Sequence, residues 1–376
     1  MLRQTMPHEI RQGATSRPLN ILVCPDQPDW AFDNIAQNIA RFAGENRLSK
    51  LFMKDVIGNE HKFFETIFLK RIDLCHVFWR EDLFYLFHPQ TIEKAARALG
   101  IEYETLVRAF NSCAFTTSVY DHLFSKPEEM RARRSGFAAL DGYTVSSSKL
   151  FDIYSRESSL PAPDLIISDG VDTEHFSPAT EQSVPPSVHL IGWAGNPGWG
   201  KSSEGYDVKG YDRVFRPMMA ELTARGHRVG ESAAIPQVKR IPFSQMPNFY
   251  RNLDIFACTS AIEGTPNTVL EAMACGVPVV STNVGIVPDI FGPLQRRFII
   301  EDASADSFAD ASAELIASPE LRRAISAENR ERALDWSWEI KVRDWWPFWE
   351  GAIRHAMDRR GAIRREALLL ARDSRI

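Results

Sequence analysis

The chain has 376 residues, of which 44% are hydrophobic and 25% are charged, and its formal net charge is −5. This length suits two domains of about 150 to 200 residues better than a single core, and the small negative charge argues against a general nucleic-acid binder. No apolar run is long enough for a membrane-spanning helix. The five scattered cysteines include no CxxC pair, so they favour free thiols in a reducing cytoplasm over disulfides or a zinc site.

The first half of the chain alternates short apolar runs with helical patterns. Residues 1–18 are polar, lack the apolar core of a signal peptide, and are predicted to form a disordered tail. The predicted strands are 19–24, 72–78, 114–119 and 143–145, and the predicted helices are 34–42 and 146–154. This alternation predicts a parallel sheet with helices on both faces, in a domain over residues 19–168.

A second series of the same kind follows a polar, proline-containing linker at residues 169–187. The predicted strands are 188–193, 254–258 and 277–281, and the predicted helices are 211–225, 266–275, 308–317 and 320–334. They form a second predicted domain over residues 188–335. Two doubly wound halves place a ligand crevice at the carboxyl ends of the strands, between the halves.

The most informative segment, residues 260–290, reads SAIEGTPNTVLEAMACGVPVVSTNVGIVPDI. Thr265 is predicted to cap a helix whose first residue is Pro266, since a proline there lacks only an N–H that would be unpaired. The remaining N–H groups of the first turn, including those of Asn267 and Thr268, then form a site for an anion.

This segment resembles the retaining GT-B glycosyltransferases of the group 1 family. Their signature frames two glutamates with seven residues between them. Here the glutamates are Glu263 and Glu271, and the frame runs to Val280 as EGTPNTVLEAMACGVPVV. The resemblance implies an α/β fold of two Rossmann-like domains facing a central cleft. It also implies that Glu263 contacts the hydroxyls of the donor sugar, that Glu271 contacts those of the ribose, and that the backbone from Gly264 onward approaches sugar and phosphates. The stretch Asp169 to Asp172 resembles the family's N-G-V-D linker, with aspartate in place of asparagine.

A glycine-rich loop allows two interpretations. Gly195 to Ser202 reads GNPGWGKS and satisfies the P-loop pattern G-x-x-x-x-G-K-S/T, so a nucleotide hydrolase or kinase is an alternative. A P-loop needs a helix to begin at its lysine, whereas the following residues are typical of a loop. The resemblance instead implies that Lys209, ahead of a glycine and a predicted helix, neutralises the leaving diphosphate. Lys201 is the second candidate cation. Asn196 stands where the family has an arginine, and Gly195 and Asn196 are further candidates for contact with the donor.

Candidates in the first half are less specific. Trp30 is predicted either to stack on an acceptor sugar or to pack between the domains. His76 and Arg80 lie in a stretch that resembles the family's strand ending in a histidine, and both are candidates for contact with the acceptor. Packing is the alternative role of His76. Asp121 and His122 lie where the family often has a His-Asp pair near the donor sugar, although the order is shifted. They are therefore candidates for catalysis.

The resemblance implies a nucleotide-sugar donor and a carbohydrate or lipid-linked acceptor, as in bacterial polysaccharide or glycolipid synthesis. No cofactor is expected, and no metal, since the donor segment has no paired-aspartate motif. A non-catalytic nucleotide-sugar binder is a further alternative, permitted by the missing arginine, and an epimerase is a variant. Residues 336–376 are expected to cross back to the first domain. The arginine-rich end, 357–376, is predicted to be a solvated helix, with contact to an anionic membrane surface as the alternative.

Overall fold

The computed structural model describes residues 17–110, 113–179, 187–199, 205–238 and 240–358. They form two sheets, one of six strands and one of five, whose paired strands are all parallel. Helices connect successive strands in both halves of the chain. The prediction of two doubly wound α/β halves is therefore confirmed.

The first sheet has the order β2-β1-β3-β4-β5-β6. Its strands are β1 (Asn20–Cys24), β2 (Arg47–Lys50), β3 (Leu74–Trp79), β4 (Ala114–Val119), β5 (Gly142–Val145) and β6 (Leu165–Ile166). The sequence analysis missed the two edge strands β2 and β6, because one is polar and the other has only two residues. The helices of this half are α1 (Ala31–Arg41), α2 (Met53–Val56), α3 (His61–Lys70), α4 (Arg80–Phe87), α5 (Pro89–Leu99), α6 (Tyr103–Phe110), α7 (Pro127–Ala132), α8 (Arg134–Ala138) and α9 (Ser148–Arg156).

The second sheet has the order β11-β10-β9-β7-β8. Its strands are β7 (His189–Ala194), β8 (Val229–Ala234), β9 (Ile255–Cys258), β10 (Val279–Thr282) and β11 (Ile299–Ile300). The edge strands β8 and β11 were again missed. A π-helical turn at Tyr211–Phe215 precedes the helices α10 (Arg216–Ala224), α11 (Met246–Arg251), α12 (Asn267–Ala274), α13 (Val287–Ile290), α14 (Ala305–Ala317) and α15 (Pro319–Leu334).

The last helices, α16 (Trp338–Lys341) and α17 (Trp345–Met357), return to the first sheet. The side chains of Trp345 and Trp349 are buried in one cluster with apolar residues of β1, β3 and β4. The return path runs beside the linker, where the Val171 N–H donates to the Trp336 carbonyl and the Trp338 N–H donates to the Val171 carbonyl. Burial of these large aromatic surfaces ties the chain's last helices to its first domain.

All five cysteines are free and buried, as the sequence analysis expected. Within the described ranges, no helix has the length and apolar character needed to cross a membrane. Residues 1–16 of the predicted tail, residues 180–186 of the predicted linker and residues 359–376 of the predicted basic helix lie outside the described residues.

Candidate active site

The two halves meet where the loop after β9 touches the chain after β4. A Cβ atom added to Gly264 would lie 1.3 Å from the carbonyl oxygen of Tyr120 and 2.8 Å from Ser146 Oγ. Only glycine permits this backbone approach. The Gly264 carbonyl also accepts a hydrogen bond from the Ile286 N–H at 3.0 Å, which holds the loop against its own domain. The carboxyl ends of both sheets therefore face a common cleft, as predicted.

Lys209 and Glu263 form an ion pair in this cleft. Lys209 Nζ lies 2.5 Å from Glu263 Oε1, and each side chain is only 18% exposed. The backbone at this point is set by Gly210, whose φ is +73° and whose added Cβ would meet the Thr259 carbonyl oxygen at 2.2 Å. Thr259 Oγ1 donates in turn to the Lys209 carbonyl at 2.9 Å. The Lys-Gly pair seen in the sequence thus directs its ammonium group at the first glutamate of the motif.

Three N–H groups at the start of the helix after Lys209 are already bonded within the protein. The carboxylate of Asp207 accepts from the backbone N–H groups of Gly210 at 3.0 Å, Asp212 at 2.8 Å and Arg213 at 3.1 Å. These bonds satisfy donors that a helix start otherwise leaves open. Any anion near Lys209 would therefore meet the lysine side chain rather than this helix start.

The helix of the motif begins one residue later than predicted. Pro266 occupies the cap position of α12, no side chain caps the helix, and the first helical residue is Asn267. Thr265 is therefore not the cap, because the Val269 and Leu270 N–H groups already bond the Pro266 carbonyl. Within the described part of the chain, two buried oxygens beside this turn, Thr265 Oγ1 and Asn267 Oδ1, have no hydrogen-bond partner. Buried polar atoms of this kind normally have partners.

A cavity of about 130 Å³ lies between the halves at this turn. Its polar lining residues are Asp121, Asp169, Glu263, Thr265 and Asn267. The aromatic side chains of Phe32, Tyr120 and Trp199 complete much of the wall. We call this space the smaller cavity. It combines three carboxyl groups, two buried unpartnered oxygens and aromatic surface in one cavity.

A second cavity of about 270 Å³, the larger cavity, adjoins the first at Asn267. It is lined by polar side chains of α1, by the linker and by Phe176, Phe243 and Glu271. Tyr250 OH donates to Glu271 Oε2 at 2.6 Å. Burial raises the pKa of Glu271 to about 7, and the bond from Tyr250 lowers it in part. The two glutamates of the motif therefore face two neighbouring cavities.

Two acceptor candidates are wrong. His76 is fully buried, with its Nδ1 2.9 Å from Thr116 Oγ1 and its ring edge-on to Trp345 at 4.9 Å, so it packs in the core. Burial lowers the pKa of His76 to about 3. Arg80 is also fully buried, and it donates to Asp121 Oδ1 at 3.1 Å and to the Leu123 carbonyl at 2.6 Å. It therefore holds Asp121 rather than meeting an acceptor.

The remaining first-half candidates differ in position. Asp121 lines the smaller cavity. His122 is half-buried, its Nε2 has no partner among the described residues, and its pKa is lowered to about 4 by burial first and then by Lys149. It is therefore uncharged at neutral pH. Trp30 is 59% exposed directly before α1, so it is available to a ligand and is not packed between the domains.

Asp169 was noted in the sequence only as a departure from the family's asparagine. It is 4% exposed and lines the smaller cavity. Burial raises its pKa to about 7, although a hydrogen bond with Asn267 lowers it in part. The carboxyl group therefore joins the linker to the start of α12 at the smaller cavity.

Replacing Asp169 with asparagine is expected to stabilise the protein more at pH 8 than at pH 5. In the unfolded chain the aspartate pKa is about 3.9, whereas in the folded chain it is about 7. Between these values the folded state holds a proton that the unfolded state has lost, so stability falls as pH rises. Asparagine does not titrate, so in the variant this residue no longer lowers the folding stability as pH rises. Unfolding temperatures of both proteins at the two pH values measure the difference.

The control for this measurement is Asp152→Asn on α9, whose carboxylate is 68% exposed beside Arg156. It should change the unfolding temperature similarly at both pH values. An equal gain from Asp169→Asn at pH 5 and pH 8 would contradict a raised pKa of Asp169.

The glycine-rich loop is described only in part. The Gly195 N–H donates to the Ala234 carbonyl at 3.1 Å, and Asn196 Oδ1 accepts from the Gly198 N–H at 2.9 Å. Both groups are thus used within the protein, which argues against their proposed contact with a donor. Lys201 and its neighbours at 200–204 lie outside the described residues. Residues 205–210 are not helical, which counts against the P-loop interpretation, since that loop leads directly into a helix.

Three side chains of the site were missed in the sequence. Trp199 lines the smaller cavity, Tyr250 bonds Glu271, and Asp207 caps the helix after Lys209. The contact of Tyr250 joins α11 to α12, and the two residues are 21 positions apart in sequence, so no local pattern indicated it. Asp207 carried a local signal, because an aspartate three residues before a glycine and a helix is typical of a cap.

The chain matches a family model described as glycosyl transferases group 1 over residues 230–332. It is 27% identical over 201 residues to a GDP-mannose-dependent monoacylated alpha-(1-6)-phosphatidylinositol monomannoside mannosyltransferase of Corynebacterium glutamicum, covering 46% of this chain and 52% of that protein. It is 26% identical over 204 residues to the lipopolysaccharide core biosynthesis mannosyltransferase LpsB of Rhizobium meliloti, covering 46% and 56%. The matches thus span about half the length of these curated relatives.

Solved structures resemble the whole architecture. A glycosyltransferase from Rickettsia africae has a TM-score of 0.64 at 14% identity, covering 91% of this chain and 99% of that one. HepE of Anabaena in complex with UDP has a TM-score of 0.59 at 12% identity, covering 88% and 99%. At such identities the likeness concerns the fold, and it confirms the expected GT-B fold.

Proposed function

We propose that the chain, whose residues 230–332 match the group 1 glycosyltransferase model, is a member of that family and transfers a sugar from a nucleotide-sugar donor to a carbohydrate or glycolipid acceptor with retention of configuration. The observation that carries the proposal is the Lys209–Glu263 ion pair at the smaller cavity, next to a larger cavity that contains Glu271. A nucleotide sugar has the matching sequence of groups: sugar, diphosphate, ribose and base.

In this proposal the donor sugar occupies the smaller cavity. Its hydroxyls would bond Glu263 and the unpartnered oxygens of Thr265 and Asn267. The ribose would bond Glu271 in the larger cavity, with the base toward Phe243. The diphosphate would cross between the cavities, past the N–H groups at the start of α12. Every buried polar atom named here would then have a partner, which is what buried polar groups require.

The reaction breaks the bond between the anomeric carbon and the leaving phosphate oxygen. The acceptor oxygen attacks the same face of the sugar, and its proton passes to the leaving phosphate. Lys209 and the partial positive charge at the start of α12 would stabilise the phosphate as its charge develops. Glu263 acts as a sugar binder rather than a covalent nucleophile. Asp121, oriented by Arg80, is the remaining carboxylate near the reacting centre.

A donor screen tests the proposal. Thermal shifts with UDP-, GDP-, ADP- and dTDP-sugars should show one preferred donor, since a ligand that binds the folded state alone stabilises it. GDP-mannose is the first to test, because a relative's name specifies it. Incubation with that donor and glycan or glycolipid acceptors should then yield a product whose anomeric configuration, read by NMR, matches the donor. An inverted product would refute retention, and binding without transfer to any acceptor would support a non-catalytic binder.

The biological setting proposed for this activity is synthesis of bacterial surface polysaccharide or glycolipid. The names of the two curated relatives refer to a phosphatidylinositol mannoside and to the lipopolysaccharide core. Lipid-linked acceptors would bring the enzyme to a membrane surface. Transfer to acceptors with and without a lipid moiety measures this preference directly.

Activity is expected to survive excess EDTA. The described residues contain no group of three or more His, Cys, Asp or Glu side chains placed to hold a metal ion. The charge on the leaving diphosphate would instead be met by Lys209 and the start of α12. Initial rates with and without EDTA check this expectation. Complete loss of activity, restored by Mg²⁺ or Mn²⁺, would show that a metal ion supplies the stabilisation.

A further inference from the structure

Trp199 ends a short turn that follows β7. The turn is closed by Asn196, whose carbonyl accepts from the Trp199 N–H at 3.1 Å and whose Oδ1 accepts from the Gly198 N–H at 2.9 Å. A side chain that bonds the backbone two residues on is typical of an Asx turn. The asparagine that replaces the family's arginine thus shapes the turn that presents Trp199.

The ring of Trp199 faces the ammonium group of Lys209. Lys209 Nζ lies 4.7 Å from the centre of the Trp199 ring and 2.5 Å from Glu263 Oε1. The ammonium group is therefore bounded by an aromatic ring and a carboxylate. Trp199 is itself 39% exposed and lines the smaller cavity beside Glu263 and Gly264.

A lysine ammonium is a point charge on a flexible four-carbon stem. Stabilising a transition state requires that charge to be in place before the reaction, since reorganisation during the reaction reduces the benefit. A tryptophan ring attracts a cation to its face and restricts its position. Glu263 alone would leave the ammonium group free to follow the carboxylate as that side chain adapts to a sugar.

We propose that Trp199 is a positioning residue that holds the Lys209 ammonium at the point where the donor's leaving diphosphate develops charge. This inference rests on the proposed function for its kinetic consequence, but not for the contact itself. Trp199 acts through Lys209, so removing the ring should lower turnover and leave the KM for the donor nearly unchanged.

The test compares Trp199→Leu, which keeps apolar bulk but removes the π-face, with Trp199→Phe, which keeps a weaker face. Trp199→Leu is expected to lower kcat by about twofold to thirtyfold, the range given by measured cation–π contacts, and Trp199→Phe to lower it less. In a Lys209→Ala background, Trp199→Leu should have no further effect on kcat. A further loss there would mean that Trp199 contacts the substrate directly, which would overturn the proposal.

A second readout does not depend on catalysis. The rate at which an amine-reactive acetylating reagent labels Lys209 can be followed by peptide mass spectrometry. Labelling is expected to be slow in the wild type and in Trp199→Phe, and faster in Trp199→Leu. Equal rates in all three folded proteins would refute the contact. If the wild type transfers no sugar but the labelling contrast remains, the proposed function fails and the positioning contact stands.

Discussion

Replacing Lys209 with alanine is expected to lower turnover of the cognate donor by about a hundredfold to a thousandfold, the loss seen when one preorganised charge-stabilising group is removed from an active site. The ammonium group is only partly exposed and lies against Glu263 and Trp199, so it is already in place before the reaction. Because it acts mainly on developing charge, kcat should fall more than donor affinity. Steady-state kinetics with the cognate donor measure both quantities.

The matched variants are Lys62→Ala and Lys201→Ala. Lys62 is exposed on α3 and lines neither cavity, so its replacement should leave turnover unchanged. Lys201→Ala should cost far less than Lys209→Ala, or give an intermediate loss if it compensates for the missing arginine. An inactive Lys201→Ala beside a fully active Lys209→Ala would falsify the alignment of this loop and favour the P-loop alternative.

Replacing Glu271 with alanine is expected to weaken binding of the nucleotide donor by about tenfold to over a hundredfold. A hydrogen bond to a charged group contributes about 1.5 to 3 kcal/mol, and each 1.4 kcal/mol corresponds to about tenfold in affinity. Glu271 lines the larger cavity beside Asn267, where the ribose is proposed to bind. Calorimetric titration with the donor and with its nucleoside diphosphate measures the change.

Tyr250→Phe is the control for Glu271→Ala. It removes the phenol that donates to Glu271 Oε2 but keeps the carboxylate in the cavity. Its effect on donor affinity should therefore be the smaller one. Unchanged affinity in a folded Glu271→Ala protein would reject the ribose assignment, and a comparable loss in Tyr250→Phe would indicate that positioning of the carboxylate dominates.

Contacts across the cleft hold the two domains in one arrangement, and the proposed roles of Lys209 and Glu271 both depend on that arrangement. The Ser148 N–H and Oγ, at the start of α9, donate to the carboxylate of Asp289, and Lys149 Nζ donates to the Asn283 carbonyl at 3.1 Å. A carboxylate at a helix start interacts favourably with the helix dipole. Together with the Gly264 contact, these bonds hold the carboxyl ends of the two sheets together. Closure of this kind excludes water and completes a site drawn from both domains.

Short-range patterns in the sequence were sufficient to predict the fold class and to place the two glutamates of the motif near the cleft. The strand at 114–119 matches β4 residue for residue, because its run of aromatic and β-branched residues is typical of a strand. The motif from Glu263 to Val280 likewise predicted a turn, a helix and a following strand in the right order. The sequence analysis did not predict the edge strands β2, β6, β8 and β11, because polar or very short edge strands carry no such run.

Tertiary packing decided which candidate side chains reach the cleft. His76 and Arg80 look like site residues along the chain, but Trp345 covers the former and Asp121 engages the latter. Trp199 looked like part of a phosphate loop, yet it lies over Lys209 because Asn196 turns the chain. Burial and ion pairing depend on elements that are distant in sequence and near in space, so periodicity and spacing predicted the frame of the site, while the folded chain determined its contacts.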